Sequence, residues 1–230
     1  MSFRHGETLL LTIGIPVILL IFFTEVHVTS LPAGPRVNFL APGILGLSVM
    51  SSSMVALSIA TGFERSYGVL RRLFVTPLSR TQLITAKILS VFVIEIVQVV
   101  VVSVVAMALG WRPHGGLGGV AELGGALILA TSGFAGLGLI LAGLLRAELN
   151  LAATNGLYLV LLLLSGFVIK VSSFPVVIRH VVTSTPSGAF ANVLHSVLGA
   201  GTGFGVTNLI SLGGWALVAP IVASRVFRFD

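Results

Sequence analysis

Cysteine is missing from this chain of 230 residues. Its absence excludes disulfide bonds, thiolate catalysis and zinc sites built on cysteine. Lysine occurs only as Lys87 and Lys170, and neither ends a Gly-x-x-x-x-Gly-Lys-Ser/Thr sequence. The chain therefore lacks the common loop that binds nucleotide phosphates. No His-Glu-x-x-His or similar spacing indicates a metal site.

Charge is scarce throughout the sequence. Only 9% of the residues are charged and 56% are hydrophobic, and the mean hydropathy is +1.10. A soluble domain has about 25% charged residues, so this composition could not build a water-facing surface. The net charge of +6 comes from basic residues between apolar runs, which indicates control of membrane topology rather than nucleic-acid binding. The sequence thus predicts an integral membrane protein.

Six apolar segments are long enough to cross a bilayer, which takes about 20 residues per helix. Because a helix pairs its own backbone polar groups within lipid, these segments predict an all-α protein with six transmembrane helices. They form one transmembrane domain over residues 1–230. The predicted spans are residues 8–24, 42–62, 83–109, 121–145, 151–169 and 206–224.

The basic residues predict the orientation of the spans. If both termini are cytoplasmic, nine of the 13 basic residues fall on that side, as the positive-inside rule favours. An even number of spans also requires both termini on one side. The nine are Arg4, Arg65, Arg71, Arg72, Arg80, Lys87, Arg146, Arg225 and Arg228.

The densest charge lies in residues 63–82, between the second and third spans. Leu70, Leu73 and Phe74 recur there at helical spacing, which predicts a short amphipathic helix at the membrane surface. Thr76-Pro77 would end it, because a residue before proline avoids the α region. A solvated basic loop is the alternative interpretation.

This loop also carries a recognisable pattern, Glu-Arg-x-x-Gly-x-Leu-x-x-Leu-x-x-Thr-Pro-Leu from Glu64 to Leu78, with Lys87 ten residues after the proline. The pattern resembles the signature of ABC type-2 exporter permeases, especially the drug-resistance subgroup related to daunorubicin export. The resemblance extends to Arg4-His5-Gly6-Glu7 before the first span and to a semi-polar segment before the last one. It also implies a longer amphipathic segment before the first span than the roughly seven residues found here.

The resemblance implies a multi-pass transport subunit in the bacterial plasma membrane, which is not itself an enzyme. Two ABC ATPase subunits would bind ATP and Mg, and a second permease subunit, identical or paralogous, would complete the unit in membrane lipid. The substrate would be a drug, a lipid or a polysaccharide precursor. Residues 172–204 would form short helices that re-enter the outer leaflet. A cytoplasmic coupling helix would dock on the ATPase at or near Glu64, Arg65, Gly68, Leu70, Arg71, Arg72, Leu73 and Pro77.

Glu95 lies deep in the third predicted span, and Gln98 follows it on the same helix face. A charged side chain near the bilayer centre costs about 2.5–3.5 kcal/mol, so Glu95 is expected to face protein or water. Two interpretations stay open. The pair could line a translocation path as a substrate or proton site, or it could make interhelical hydrogen bonds worth about 0.6–2 kcal/mol.

Shorter patterns add three predictions. The pairs Ala126–Ala130 and Gly138–Ala142 favour close helix packing within the subunit. Residues 146–150 are expected to form a tight polar turn. Ser184-Thr185-Pro186 predicts the start of a helix, because proline is favoured in the first turn.

The sequence as a whole predicts the membrane permease subunit of an ATP-driven exporter whose ATPase is a separate chain. Two alternatives remain. One is a proton-coupled secondary transporter that uses Glu95, and the other is a membrane scaffold that anchors an ATPase without moving substrate.

Overall fold

The helices below come from a computed structural model, which describes residues 3–26, 35–70, 79–113, 116–167, 175–200, 203 and 205–227. Every regular element in these residues is helical, so the all-α prediction is confirmed. Two segments are π-helical, Ser51–Ala56 and His195–Ala200. The α-helices are α1 (Phe3–Glu25), α2 (Arg36–Met50), α3 (Leu57–Ser66), α4 (Arg80–Ala108), α5 (Gly116–Leu144), α6 (Ala147–Leu163), α7 (Val176–Ser184), α8 (Pro186–Leu194) and α9 (Val206–Val226).

Four helices in the described residues are long and apolar enough to cross a bilayer. They are Arg36–Ser66, Arg80–Ala108, Gly118–Leu144 and Val206–Val226. Two shorter apolar helices, Thr12–Glu25 and Ala147–Leu163, accompany them. The 17 residues of α6 extend about 25 Å at 1.5 Å per residue, less than a hydrocarbon core of about 30 Å. The structure supports a multi-pass membrane protein, and the count of six spans stays a prediction.

The helix that contains the second predicted span, residues 42–62, extends beyond that span at both ends. The helix starts at Arg36, directly after Pro35, and Pro42 lies within it. Pro42 lies in the second turn, so the carbonyl of Asn38, four residues earlier, has no donor from the helix backbone. The π-helical turn at Ser51–Ala56 then joins α2 to α3 without a break, so that one helical segment runs from Arg36 to Ser66.

The helix that contains the third predicted span also begins before residue 83, the first residue of that span. Ser79 caps α4, because its hydroxyl accepts from Gln82 N at 3.2 Å. Gln82 Oε1 in turn accepts from Ser79 N at 2.8 Å. This reciprocal capping box satisfies backbone donors at the helix start, and α4 therefore begins at Arg80. The other predicted spans differ from the helices by a few residues at their ends.

Helix α5 lies at the centre of the core and contacts α2, α3, α4, α6, α8 and α9. Small residues allow these close approaches. A Cβ on Gly136 would lie 2.6 Å from backbone atoms of α9, and one on Gly138 would lie 2.6 Å from the Met54 carbonyl. Ala126, Ala130 and Ala142 are fully buried. The small-residue pairs of this helix thus pack within the chain.

The segment before α9 contains the short helices that the resemblance implied. Thr185 starts α8, since its hydroxyl accepts from Gly188 N at 3.1 Å and Pro186 occupies the first turn. Phe190 and Leu194 of α8 are buried in the core. The helix start predicted at Thr185-Pro186 is confirmed, while re-entry into the outer leaflet stays a prediction.

Candidate functional site

Glu64 and Arg65, two predicted coupling residues, are held by contacts within the chain at the end of α3. Lys87 Nζ of α4 lies 2.5 Å from Glu64 Oε2. Arg65 Nη1 donates to the carbonyls of Ala142 and Gly143 at 3.1 and 2.8 Å. The last carbonyls of a helix lack intrahelical donors and attract cations. We call Glu64, Arg65, Lys87 and this end of α5 the junction; it ties α3 to two neighbouring helices.

The loop after the junction begins with a sharp turn. Gly68 has φ +70°, a left-handed conformation that favours glycine. Leu70 is fully buried in an apolar cluster with Leu83 and Leu139. This leucine therefore anchors the first part of the loop to α4 and α5. Residues 71–78, which hold most of the predicted amphipathic helix, lie outside the described residues, and with them Arg71, Arg72, Leu73 and Pro77.

Glu95 and Gln98 are buried on one face of α4, as their spacing predicts. The hydroxyl of Thr131, on α5, donates to Glu95 Oε2. Gln98 Oε1 accepts from Ser52 Oγ at 3.0 Å, and Gln98 Nε2 donates to Thr12 O at 2.8 Å. Interhelical hydrogen bonds thus hold both side chains, so that interpretation agrees with the geometry.

The bond from Gln98 to Thr12 has a specific cause in α1. Proline has no N–H, so Pro16 leaves the carbonyl four residues earlier, that of Thr12, without its helical donor. A neighbouring side chain can satisfy such a carbonyl within a membrane. Gln98 does so here from α4. The part of α1 that contains Pro16 is thereby joined to α4 and, through Ser52, to the π-helical turn.

Pro220 in α9 has an equivalent partner. It leaves the carbonyl of Ala216 without a helical donor, and Ser132 Oγ donates to that carbonyl at 2.9 Å. Ser132 follows Thr131, the partner of Glu95, on α5. The polar side chains of α4 and α5 therefore connect α1, the π-helical turn and α9 across the interior of the protein.

The prediction of a tight polar turn at residues 146–150 is wrong, as the position of Asn150 shows. It lies in α6 and is fully buried. Ser58 Oγ donates to Asn150 Oδ1 at 2.9 Å, and Asn150 Nδ2 donates to Ser58 O at 2.9 Å. A Cβ on Gly62 would lie 2.7 Å from Asn150 Nδ2, so this glycine makes room for the amide. Asn150, in the first turn of α6, thus joins this helix to α3.

A cavity of about 210 Å³ lies beside Gln98, between α1, the α2–α3 segment, α4 and α6. Its apolar wall includes Ile15 and Leu19 of α1, which are 53% and 37% exposed. Its polar wall consists of Thr12, Ser48, Ser51, Ser52, Gln98 and Tyr158. We call it the lateral cavity. Sequence reasoning missed its hydroxyl groups, although the recurring serines at 48, 51, 52 and 53 could have indicated them.

Comparison with known proteins gives the family. A family model described as "ABC-2 type transporter" matches residues 2–197, which is most of the chain. The chain belongs to the ABC-2 type transporter family. Two proteins named "Probable multidrug ABC transporter permease YbhS", from Escherichia coli strain K12 and Escherichia coli O157:H7, are each 28% identical to it over 175 residues.

Those alignments cover 74% of this chain and 45% of each relative, so the chain spans about half the length of the curated relatives it matches. Membership of this family, together with the long apolar helices, supports a multi-pass membrane protein. The resemblance to type-2 exporter permeases is confirmed at the level of the family. The daunorubicin-related subgroup stays a prediction.

Proposed function

We propose that the chain is the transmembrane permease subunit of an ATP-binding-cassette exporter, which moves an amphipathic drug or lipid outward. The energy comes from ATP hydrolysis on a separate ATPase subunit. Membership of the ABC-2 type transporter family supports this function, as does the name of the Escherichia coli relatives, a probable multidrug ABC transporter permease. The observation that carries the proposal is the junction, which joins the start of the coupling loop to α4 and α5.

Coupling is proposed to begin at residues 64–77. The predicted contact with the ATPase includes Arg71, Arg72, Leu73 and Pro77, next to Tyr67, whose side chain is 73% exposed. Closure of two ATPase subunits on ATP would displace this loop, and the hydrogen bonds of Arg65 would transmit the displacement to the end of α5. Because α5 packs closely on α9 through Gly136, both helices would move together. This movement would shift the equilibrium between two conformations of the protein.

The proposed translocation path passes Gln98 and Glu95. Gln98 lines the lateral cavity, and Glu95 lies one helical turn before it. The working unit is proposed to contain two ATPase subunits and a second permease subunit in the bacterial plasma membrane, with both termini of this chain in the cytoplasm. Most of the basic residues, including those of the junction, would then lie on the ATPase side of the membrane.

Transport into inside-out membrane vesicles tests this function. The chain is co-expressed with an ABC ATPase from the source genome, and uptake of a fluorescent uncharged amphipathic molecule is followed after ATP is added. ATP-dependent uptake is expected, and it should disappear with an ATPase variant that binds ATP but does not hydrolyse it. Uptake that follows an imposed proton gradient and ignores ATP would replace the proposal with proton-coupled transport, which the buried carboxyl group of Glu95 favours as the second candidate.

Glu95→Gln is expected to lower ATP-dependent uptake while the amount of protein in the membrane stays unchanged. Glutamine keeps the size of the side chain and an oxygen that accepts from Thr131, so the helix contact survives. It cannot ionise or release a proton. A change of about 1.4 kcal/mol in the barrier would lower the rate roughly tenfold.

Thr131→Val provides the control for Glu95→Gln, because it removes the hydroxyl that donates to Glu95 and keeps the carboxyl group. Both variants are compared for uptake and for membrane abundance. Normal uptake by Glu95→Gln would show that Glu95 serves only to hold α4 against α5.

A further inference from the structure

The lateral cavity is built for an uncharged group. Among the described residues, none that lines it is Asp, Glu, Lys, Arg or His. An ionised headgroup placed there would lose its hydration without gaining a partner of opposite charge, which is costly away from water. A neutral hydroxyl, ester or amide group requires only hydrogen bonds. The cavity wall therefore selects against charged ligands.

The polar side of the cavity has hydrogen-bonding capacity left over. A glutamine amide offers two N–H donors and an oxygen with two lone pairs. Gln98 uses one donor on Thr12 O and one lone pair on Ser52 Oγ. Those two bonds fix the amide plane beside the cavity and leave one N–H and one lone pair. Tyr158 and Ser51 add hydroxyl groups that make no hydrogen bond to another described residue.

The remaining wall is apolar and reaches the surface of the helix bundle. Ile15 and Leu19 line the cavity and are partly exposed on the apolar face of α1, which a bilayer would cover. A volume of about 210 Å³ exceeds the engineered apolar cavities of about 150 Å³ that accept benzene. The cavity thus has room for one ring or a short chain segment beside a polar group.

We infer that the lateral cavity binds an uncharged amphipathic molecule, which presents a hydroxyl or carbonyl group to Gln98, Tyr158 and Ser51 and enters from the bilayer. This inference deepens the proposed function, because its occupant is either the exported substrate or a resident neutral lipid. Both sources share one chemistry, a neutral polar end on an apolar body. The geometry of Gln98, fixed by its bonds to α1 and to the π-helical turn, prepares the site before the ligand arrives.

Photolabelling tests the inference on the full chain in lipid nanodiscs, together with its co-purified ATPase. The probe is a diacylglycerol that carries a diazirine on one acyl chain, near the hydroxyl end of the molecule. The comparison probe is a phosphatidylglycerol with the diazirine at the same position of the same acyl chain. Labelled peptides are located by mass spectrometry. The diacylglycerol is expected to label the residues that line the lateral cavity, and the anionic probe is expected to label them at least several-fold less.

Ile15→Trp and Ile18→Trp form a matched pair for this experiment. Both residues are exposed on α1, but Ile15 lines the cavity and Ile18 does not. The larger ring at position 15 should fill part of the cavity and lower labelling by about tenfold, the equivalent of 1.4 kcal/mol in binding. Labelling of Ile18→Trp should match the wild type. Equal labelling of both variants, or equal labelling by the two probes, would overturn the inference.

Adding ATP separates the two sources and keeps this inference distinct from the proposed function. Labelling that falls during ATP hydrolysis identifies the occupant as a transported substrate, whereas labelling that ATP does not change identifies a resident lipid; both support the site. Cavity labelling without any ATP-dependent transport would leave the binding site standing and refute the exporter. Transport with no cavity labelling would refute the site alone.

Discussion

Arg65→Ala is expected to separate ATP hydrolysis from transport. The change removes the guanidinium group that binds the Ala142 and Gly143 carbonyls at the end of α5. Hydrogen bonds to a charged group are worth about 1.5–3 kcal/mol, and their loss frees the end of α3 from α5. The variant should reach the membrane and bind the ATPase, yet its ATP-dependent uptake should fall by roughly tenfold or more. The measurement is uptake per ATP hydrolysed in the same vesicles.

Two variants control for the charge that Arg65→Ala removes. Arg146→Ala loses a positive charge from an exposed side chain directly before α6, and it should transport normally. Arg65→Lys keeps the charge near the end of α5 but loses the planar guanidinium group, so intermediate uptake is expected. If Arg65→Ala transports as well as the wild type, the junction does not carry the coupling.

Gln98→Leu is expected to destabilise the protein, and replacing Pro16 at the same time is expected to recover part of the loss. The variant removes the side-chain donor to the carbonyl of Thr12, and Pro16 cannot replace that donor. In the Pro16→Ala background, the new N–H of residue 16 satisfies that carbonyl within α1. The cost of Gln98→Leu should therefore shrink by about 0.6 kcal/mol, the average measured for hydrogen bonds between membrane helices, and by about 1.7 kcal/mol at most.

Thermal unfolding in detergent measures all four members of this double-mutant cycle, namely the wild type, Gln98→Leu, Pro16→Ala and the double variant. The bond from Ser52 to Gln98 is lost in both Gln98 variants, so it cancels from the comparison. Additive effects of the two changes would mean that Gln98 does not serve the carbonyl freed by Pro16. The equivalent pair, Ser132 and Pro220, should behave in the same way.

Composition and local spacing predict much of this fold. Apolar runs identify the membrane helices, because a bilayer requires length and hydrophobicity regardless of the partner. Thr185-Pro186 predicts the start of α8 because the cap and the proline act within one turn. The face shared by Glu95 and Gln98 follows from helical spacing alone. The capping box of Ser79 and Gln82 was equally local, and it would have placed the start of α4 correctly.

Other features depend on residues far apart in the sequence. Asn150 reads as a turn residue next to Arg146 and Glu148, because its partner Ser58 lies 92 positions away. Arg65 reads as a loop charge available to a partner protein, but it caps a helix that ends some 80 residues later. Hydropathy indicates whether a segment lies in lipid or in water, but not which helices pack against it. A polar side chain in a span therefore predicts a hydrogen bond without identifying the partner residue.

The most direct test of the central claim is whether this chain and an ABC ATPase form one complex through the loop after α3. The chain is tagged, co-expressed with an ABC ATPase from the source genome, and purified, and the ratio of the two proteins in the eluate is measured. Stoichiometric co-elution is expected, with loss of the ATPase when Arg71, Arg72 and Leu73 are replaced together and retention when Arg146 is replaced. A well-folded chain that elutes without any ABC ATPase of that genome would contradict the account.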